Sequence, residues 1–287
     1  MFRDFDNGKV KVLILPSCRV LDEKVLAKIR DLQNKGVYIL ADEFLNIALM
    51  PDFRIQAVIR DKADAEKSKR ALQKLGQDIR KKLAPVLTPC FDSASQDLIL
   101  RRRASGEAQY LFAVNDKRTY GDYVGQWKRV MEKGLPLSAG FTAALPCSAA
   151  YDLVSHRTMA FKQKSGKTEF QLELRPGSGS IIALLPRPIA GIRLKAPDRI
   201  KRGSDYAIEV SQIDSKGKPF RAVLPLEIRF AFNGKPLPGS GFYATGKDGV
   251  FTLKDTAALN LPEGKAVMTV KCLASGKTSS KAIVIQK

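Results

Sequence analysis

Three small groups of side chains in this sequence are of a type and spacing that could do chemistry. The first is Cys18, just after the apolar run VKVLIL, together with the single histidine, His156. A thiol and an imidazole would make a nucleophile and base for a hydrolase or an amidotransferase. A nucleophile on a strand-to-helix turn needs glycines to bend the chain sharply. The turn here reads Pro16-Ser17-Cys18-Arg19 and has none. His156 lies far down the chain beside Tyr151-Asp152, so the pair is the least favoured reading. The second group is Asp42-Glu43, after the apolar run VYILA, where α/β proteins tend to place their sites. A glycosidase needs two carboxylates across a cleft, but neighbours on a strand point apart. Asp42 is therefore expected as a turn or cap residue and Glu43 as a loop carboxylate. The third group lies in QYLFAVNDKRTYGDYVGQWKRVMEKGLP, residues 109–136. Tyr120, Tyr123 and Trp127 could stack on sugar rings, with Arg118 and Asp122 as hydrogen-bonding partners. The same amphipathic rings suit a domain interface, and packing is the favoured role. Spacing of Tyr123, Trp127 and Val130 would place them on one face of a short helix over 123–133, with Gly134 after its end.

Cofactors are not expected. The four cysteines, Cys18, Cys90, Cys147 and Cys272, include no CxxC pair, and one histidine supplies no zinc set. The turn after the first strand lacks the glycines of a dinucleotide loop.

The elements that would hold these residues change character along the chain. Residues 10–15 and 37–41 are continuous apolar runs, as in strands buried on both faces. Between them Asp22 and Glu23 open a helical pattern of Leu21, Val25, Ile29 and Leu32, and Gly36 closes it. This predicts a parallel βαβ unit. A weak third strand over 53–59 and a long helix over 61–83 follow, the helix with Leu72, Leu75, Ile79 and Leu83 on one side. Two confident strands are too few for a complete doubly wound sheet. From residue 97 the pattern is β. A hairpin, 97–103 and 108–115, precedes the aromatic stretch, and short strands follow at 151–153, 159–163, 168–174 and 180–185. Pro186-Arg187-Pro188 reads as a linker. Seven strand-like runs from 191 to 286, parted by turns such as DSKGK and NGK, predict an immunoglobulin-like sandwich. The expected domains are 1–92, a partial flavodoxin- or amidotransferase-like α/β domain; 93–187, an antiparallel β-sandwich with the aromatic loop; and 188–287, an immunoglobulin-like β-sandwich that folds on its own.

The formal net charge is +20. Residues 1–92 carry 18 basic and 13 acidic side chains, 93–187 carry 14 and 8, and 188–287 carry 17 and 8. An excess spread this evenly is a solvated basic surface and not a nucleic-acid footprint. No apolar run is long enough to span a bilayer, and MFRDFDNGKV lacks the apolar core of a signal peptide. A longer parent could carry an export signal upstream.

The stretch VLILPSCRVLDEKVLAKIRDLQNKGVYILADEF resembles the second half of the amidotransferase-like trimerisation domain of family 42 glycoside hydrolases, the β-galactosidases. YLFAVNDKRTYGDYVGQW, then YDLVSHR and LRPGSGSIIALLPRP, resembles the β-domain that follows in bacterial relatives. The resemblance covers residues 8–187. It implies a non-catalytic accessory or assembly module whose partner is the catalytic barrel of a glycoside hydrolase, as a domain or a subunit, with carbohydrate contact or homo-oligomerisation. The alternatives are a stand-alone glycan-binding or adhesion scaffold and, behind it, a Cys18-dependent hydrolase or amidotransferase.

Overall fold

The computed structural model describes residues 10–45, 48–59, 61, 64–120, 132–145, 147–237, 240–246 and 248–287. The chain divides into two compact units, Met1–Pro89 with Thr119–Lys133, and Cys90–Arg118 with Gly134–Lys287. The protein is a β-rich multidomain chain, with both of its described helices in the first unit.

The first unit runs β1 (Val12–Leu15), α1 (Glu23–Asn34), β2 (Tyr38–Asp42), β3 (Phe53–Ile55) and α2 (Ala65–Leu83). The three strands form a parallel sheet in the order β1-β2-β3. The Asp22 side chain caps α1 by accepting from Lys24 N at 2.9 Å. Gly36 follows the helix with φ of 86°, a left-handed turn that suits glycine. Ile29 and Leu32 then seat against Ile39 and Ala41. Burial on both faces holds only for the middle strand, where Ile39, Leu40 and Ala41 are fully buried. On the edge strand β1, Ile14 is 48% exposed. The apolar side of α2 is likewise only partly covered. Leu83 is buried, Leu75 and Ile79 are half-buried, and Leu72 is exposed.

The second unit is two packed pairs of sheets. Its strands begin with β4 (Phe91–Ser93), β5 (Leu98–Ser105) and β6 (Ala108–Asn115); β7 (Arg118–Tyr120) and β8 (Glu132–Gly134), which pair with each other and fall mostly in the first unit, come next, followed by β9 (Leu137–Ala143). They continue with β10 (Ala149–Asp152), β11 (Arg157–Thr158), β12 (Lys162–Lys164), β13 (Lys167–Leu174) and β14 (Gly179–Leu185). One antiparallel sheet has the order β11-β10-β14-β6-β5 and the other β12-β13-β9-β4. Period-two alternation builds the core between them: Leu137, Ala139 and Phe141 from β9 meet Leu111, Ala113, Ile182 and Leu184. Phe141 and Phe170 stack at 4.7 Å. The sequence reading missed β9, whose small residues Ser138, Ala139 and Gly140 dilute its pattern. Met159, read as strand, is a buried connector between β11 and β12. The helix expected over 123–133 lies outside the described residues except at its end. There Glu132–Gly134 is a strand, so Gly134 does not follow a helix.

The second sandwich holds β15 (Gly191–Lys195), β16 (Arg199–Lys201), β17 (Asp205–Ile213), β18 (Pro225–Phe232), β19 (Lys235–Pro236), β20 (Phe242–Thr245), β21 (Val250–Thr256), β22 (Gly264–Cys272) and β23 (Thr278–Gln286). Its sheets are β15-β17-β21 and β16-β23-β22-β18-β19, with β20 also on β18. The buried residues form one cluster that runs across Pro186-Arg187-Pro188. Tyr110, Tyr151 and Leu185 belong to the same core as Ile189, Phe220 and Leu224. Among the described residues no helix is long and apolar enough to cross a membrane.

Candidate functional site

The strand ends of the first unit are where α/β chemistry would sit. Ser17 follows β1 with φ of 52°, and its N–H donates to Asp42 Oδ2 at 2.5 Å. Phe44 N donates to Asp42 Oδ1 at 3.1 Å. Asp42 is 3% exposed, so its carboxylate ties the β1 turn to the β2 turn. Glu43 is equally occupied, accepting from Ala57 N at 2.7 Å. Cys18 Sγ meets the Pro16 carbonyl at 3.6 Å, while the Arg19 guanidinium lies over Phe44. His156 belongs to the other unit, exposed in the turn between β10 and β11 with φ of 53°. Among the described residues no group of three His, Cys, Asp or Glu could hold a metal ion.

The turn carrying His156 is built on Asp152, which is 5% exposed. Asp152 accepts from Ser180 Oγ at 2.6 Å, Val154 N at 3.0 Å and Ser155 N at 3.1 Å, and from the Ser155 hydroxyl. Burial alone pushes this carboxyl up; the hydrogen bonds from Ser155, Ser180 and Val154 outweigh it and hold the group below its ordinary value. Beside it, the Tyr151 hydroxyl accepts from Ile189 N at 2.8 Å, the first turn of chain beyond the proline pair.

A second polar cluster joins the two sandwiches. Glu107, in the two-residue loop between β5 and β6, accepts at Oε1 from Arg187 Nη2 at 2.9 Å and from Arg221 N at 3.0 Å. Its own N–H donates to Arg221 O at 2.8 Å. Arg187 lies 4.8 Å over the Phe220 ring, and its Nε stands 2.7 Å from Asp214 Oδ2, an ion pair with the N–H aimed off the oxygen. Asp214 is held below the ordinary carboxylate range, first by the Lys218 N–H, against the opposing effect of burial, and further by Lys216 N and the Arg187 charge. Tyr110 donates its hydroxyl to Val223 O at 2.6 Å, and burial pushes its phenol up to about 12. Gly106 is obligatory here: its φ is 56°, and a Cβ would lie 1.8 Å from Arg221 O. Arg187, expected in a linker, is thus the centre of a clamp. Glu107, Arg187 and Asp214 were not singled out in the sequence. The signal was the turn pattern Asp214-Ser-Lys-Gly, whose aspartate caps its own backbone.

Of the aromatic group, Arg118 Nη2 stands 3.4 Å from Asp116 Oδ2, both side chains partly exposed. Tyr120 contributes its backbone to β7. Asp122, Tyr123 and Trp127 lie outside the described residues. Burial pushes the Cys147 thiol up, which suits a packed residue and not a nucleophile.

No protein-family model matches the sequence. No curated protein matches it either. Solved structures with a similar chain trace include α-L-fucosidase isoenzyme 2 from Paenibacillus thiaminolyticus, 12% identical over 61% of this chain and 41% of that one, with a TM-score of 0.42. A glycosyl hydrolase family 2 member from Bacteroides cellulosilyticus DSM 14838 is 15% identical over 51% of this chain and 24% of that one, with a TM-score of 0.26. The superoxide reductase neelaredoxin from Ignicoccus hospitalis is 15% identical over 33% of this chain and 80% of that one, with a TM-score of 0.25. TM-scores this low carry no argument about what this chain does.

Proposed function

We propose that this chain is a non-catalytic accessory and assembly module of a carbohydrate-active protein, and that a glycoside hydrolase barrel is its partner. The observation that carries the reading is the employment of its buried carboxylates. Asp42, Asp152 and Asp214 are the buried carboxylates among the described residues, and each has its oxygens engaged by turn N–H groups, by hydroxyls or by Arg187. An acid held this way stabilises a fold; a general acid needs a free lone pair and a raised pKa. The clamp at Arg187 fits the same role, because a rigid pair of sandwiches holds whatever it is fused to at a set distance.

The finer identification rests on the sequence resemblance to the trimerisation domain of family 42 β-galactosidases. Two features of the first unit support it. Three consecutive strands in spatial order is what the outer half of a 2-1-3-4-5 flavodoxin-like sheet shows. The exposed Ile14 and Leu72 leave apolar surface to be covered, and parallel sheets are covered on both faces. Thr119 Oγ1 lies 3.5 Å from Glu66 Oε1. Docking, ahead of sugar stacking, is the proposed role of Tyr120, Tyr123 and Trp127, because amphipathic rings suit an interface. The test is turnover and assembly measured together. The chain alone should leave aryl β-galactosides intact, and sedimentation should show it self-associating or binding a family 42 barrel. Hydrolysis abolished by one carboxylate substitution, or a monomer that ignores the barrel, would overturn the reading.

A further inference from the structure

The second sandwich is open at one end. Between its two sheets, at the start of β17 and the end of β18, lies a cavity of about 440 Å³. Strands β18 and β20 supply Phe230, Phe232 and Phe242 as one wall, and Leu253 of β21 lies opposite. The volume falls within the range of small-molecule sites. Its lining gives water few partners, so a hydrated state is poorly supported.

Among the described lining residues the polar side chains are Tyr206, Ser240, Asp255 and Thr256, and of these Asp255 alone is charged. β21 pairs with β17 as Phe251–Val210, Leu253–Ile208 and Asp255–Tyr206; the first two pairs face the core, and the third lies at the rim of the cavity, with Tyr206 half-buried and Asp255 exposed. A sandwich keeps such rows apolar. Here the row ends, at the rim, in an exposed acid opposite a half-buried phenol, and both line the cavity. Burial, and after it the neighbouring Asp255 carboxylate, raise the Tyr206 phenol above its ordinary value, so its proton stays on. An ionised carboxylate is acceptor-only. Asp255 Oδ1 takes the Thr256 N–H at 2.8 Å, and a carboxylate has room for further donors.

We propose that this cavity binds a small apolar molecule with a single hydrogen-bond-donating head, its body against the three phenylalanines and an ammonium group, or less strongly a hydroxyl, on Asp255. An anionic head is repelled by the carboxylate. An amine gains the stronger, charge-assisted hydrogen bond. The site is independent of the accessory-module reading, which could fail without affecting it.

The experiment is isothermal titration of the full chain with octylamine, octanol and octanoate. Octylamine should bind saturably at one site, octanol more weakly, and octanoate least. Asp255→Asn should weaken octylamine about tenfold, the loss of a charged hydrogen bond, and leave octanol within a few-fold. Ala266→Phe, which fills the cavity, should abolish both, with a thermal melt to confirm that the variant folds. Three results would each overturn the proposal. They are no saturable binding of octylamine or octanol, an octylamine affinity unchanged by Asp255→Asn, and a preference for octanoate.

Discussion

Replacing Gly106 by alanine tests the clamp between the sandwiches with a single methyl group. Two costs add. At φ of 56° a residue with a Cβ sits in the left-handed region, at about 1–2 kcal/mol. The Cβ would also lie 1.8 Å from Arg221 O, so the hairpin tip or the 221 segment must move. That movement strains two hydrogen bonds, Glu107 N to Arg221 O at 2.8 Å and Arg221 N to Glu107 Oε1 at 3.0 Å. Each is worth roughly 0.5–1.5 kcal/mol net. The sum is about 2–5 kcal/mol. Gly166 supplies the control: it occupies a hairpin tip at φ of 75° with nothing within 4 Å of its Cβ position. Gly166→Ala should cost only the backbone share, about 1–2 kcal/mol. A chain of two units has no single unfolding free energy, so the readout is amide exchange in peptides covering β6 and residues 219–224. Gly106→Ala should open both peptides together, and Gly166→Ala should leave them protected. Equal exchange in the two variants would refute the idea that this contact locks the sandwiches.

Three further outcomes are expected. Asp152→Asn should lower stability by about 1–3 kcal/mol, because an amide cannot accept from both hydroxyls and both N–H groups. The Asp152 pKa is depressed in the fold, so its contribution is present above the unfolded value and is lost as the pH falls through the folded one; thermal melts of the two proteins should converge below about pH 4. Asp42→Ala should cost about 1–3 kcal/mol, read in the helical circular dichroism that belongs to the first unit, while Ser17→Gly should be neutral or stabilising because Ser17 already has φ of 52°; a damaging Ser17→Gly would contradict the turn argument. Residues 188–287 expressed alone should keep a β spectrum but melt below the intact second unit, because Ile189, Phe220 and Leu224 lose the partners they share a core with; an unchanged melt would show that the shared core adds nothing.

What the sequence determined by itself was local periodicity. The helical spacing of Val25, Ile29 and Leu32 sufficed to place α1, and the Asp22 and Gly36 signals marked its ends, because caps and apolar faces act within a few residues. The seven strands from 191 onward were legible for the same reason: a period of two and glycine-bearing turns are written in order. Short pieces such as β16 and β19 were not, since a two- or three-residue strand has no period to read.

Tertiary structure decided everything that depends on which face meets what. The run VKVLIL looks buried throughout, yet its strand lies at a sheet edge and leaves Ile14 in solvent, and no local pattern separates an edge from a centre. Arg187 sits between two prolines and reads as linker. Only the approach of Glu107, Asp214 and Phe220, distant in sequence, makes it a clamp. Asp255 reads as one more surface charge. The pairing of β21 with β17 sets it opposite Tyr206 at the rim of the cavity, because strand register decides which residues meet across a sheet and the sequence carries the alternation without the pairing.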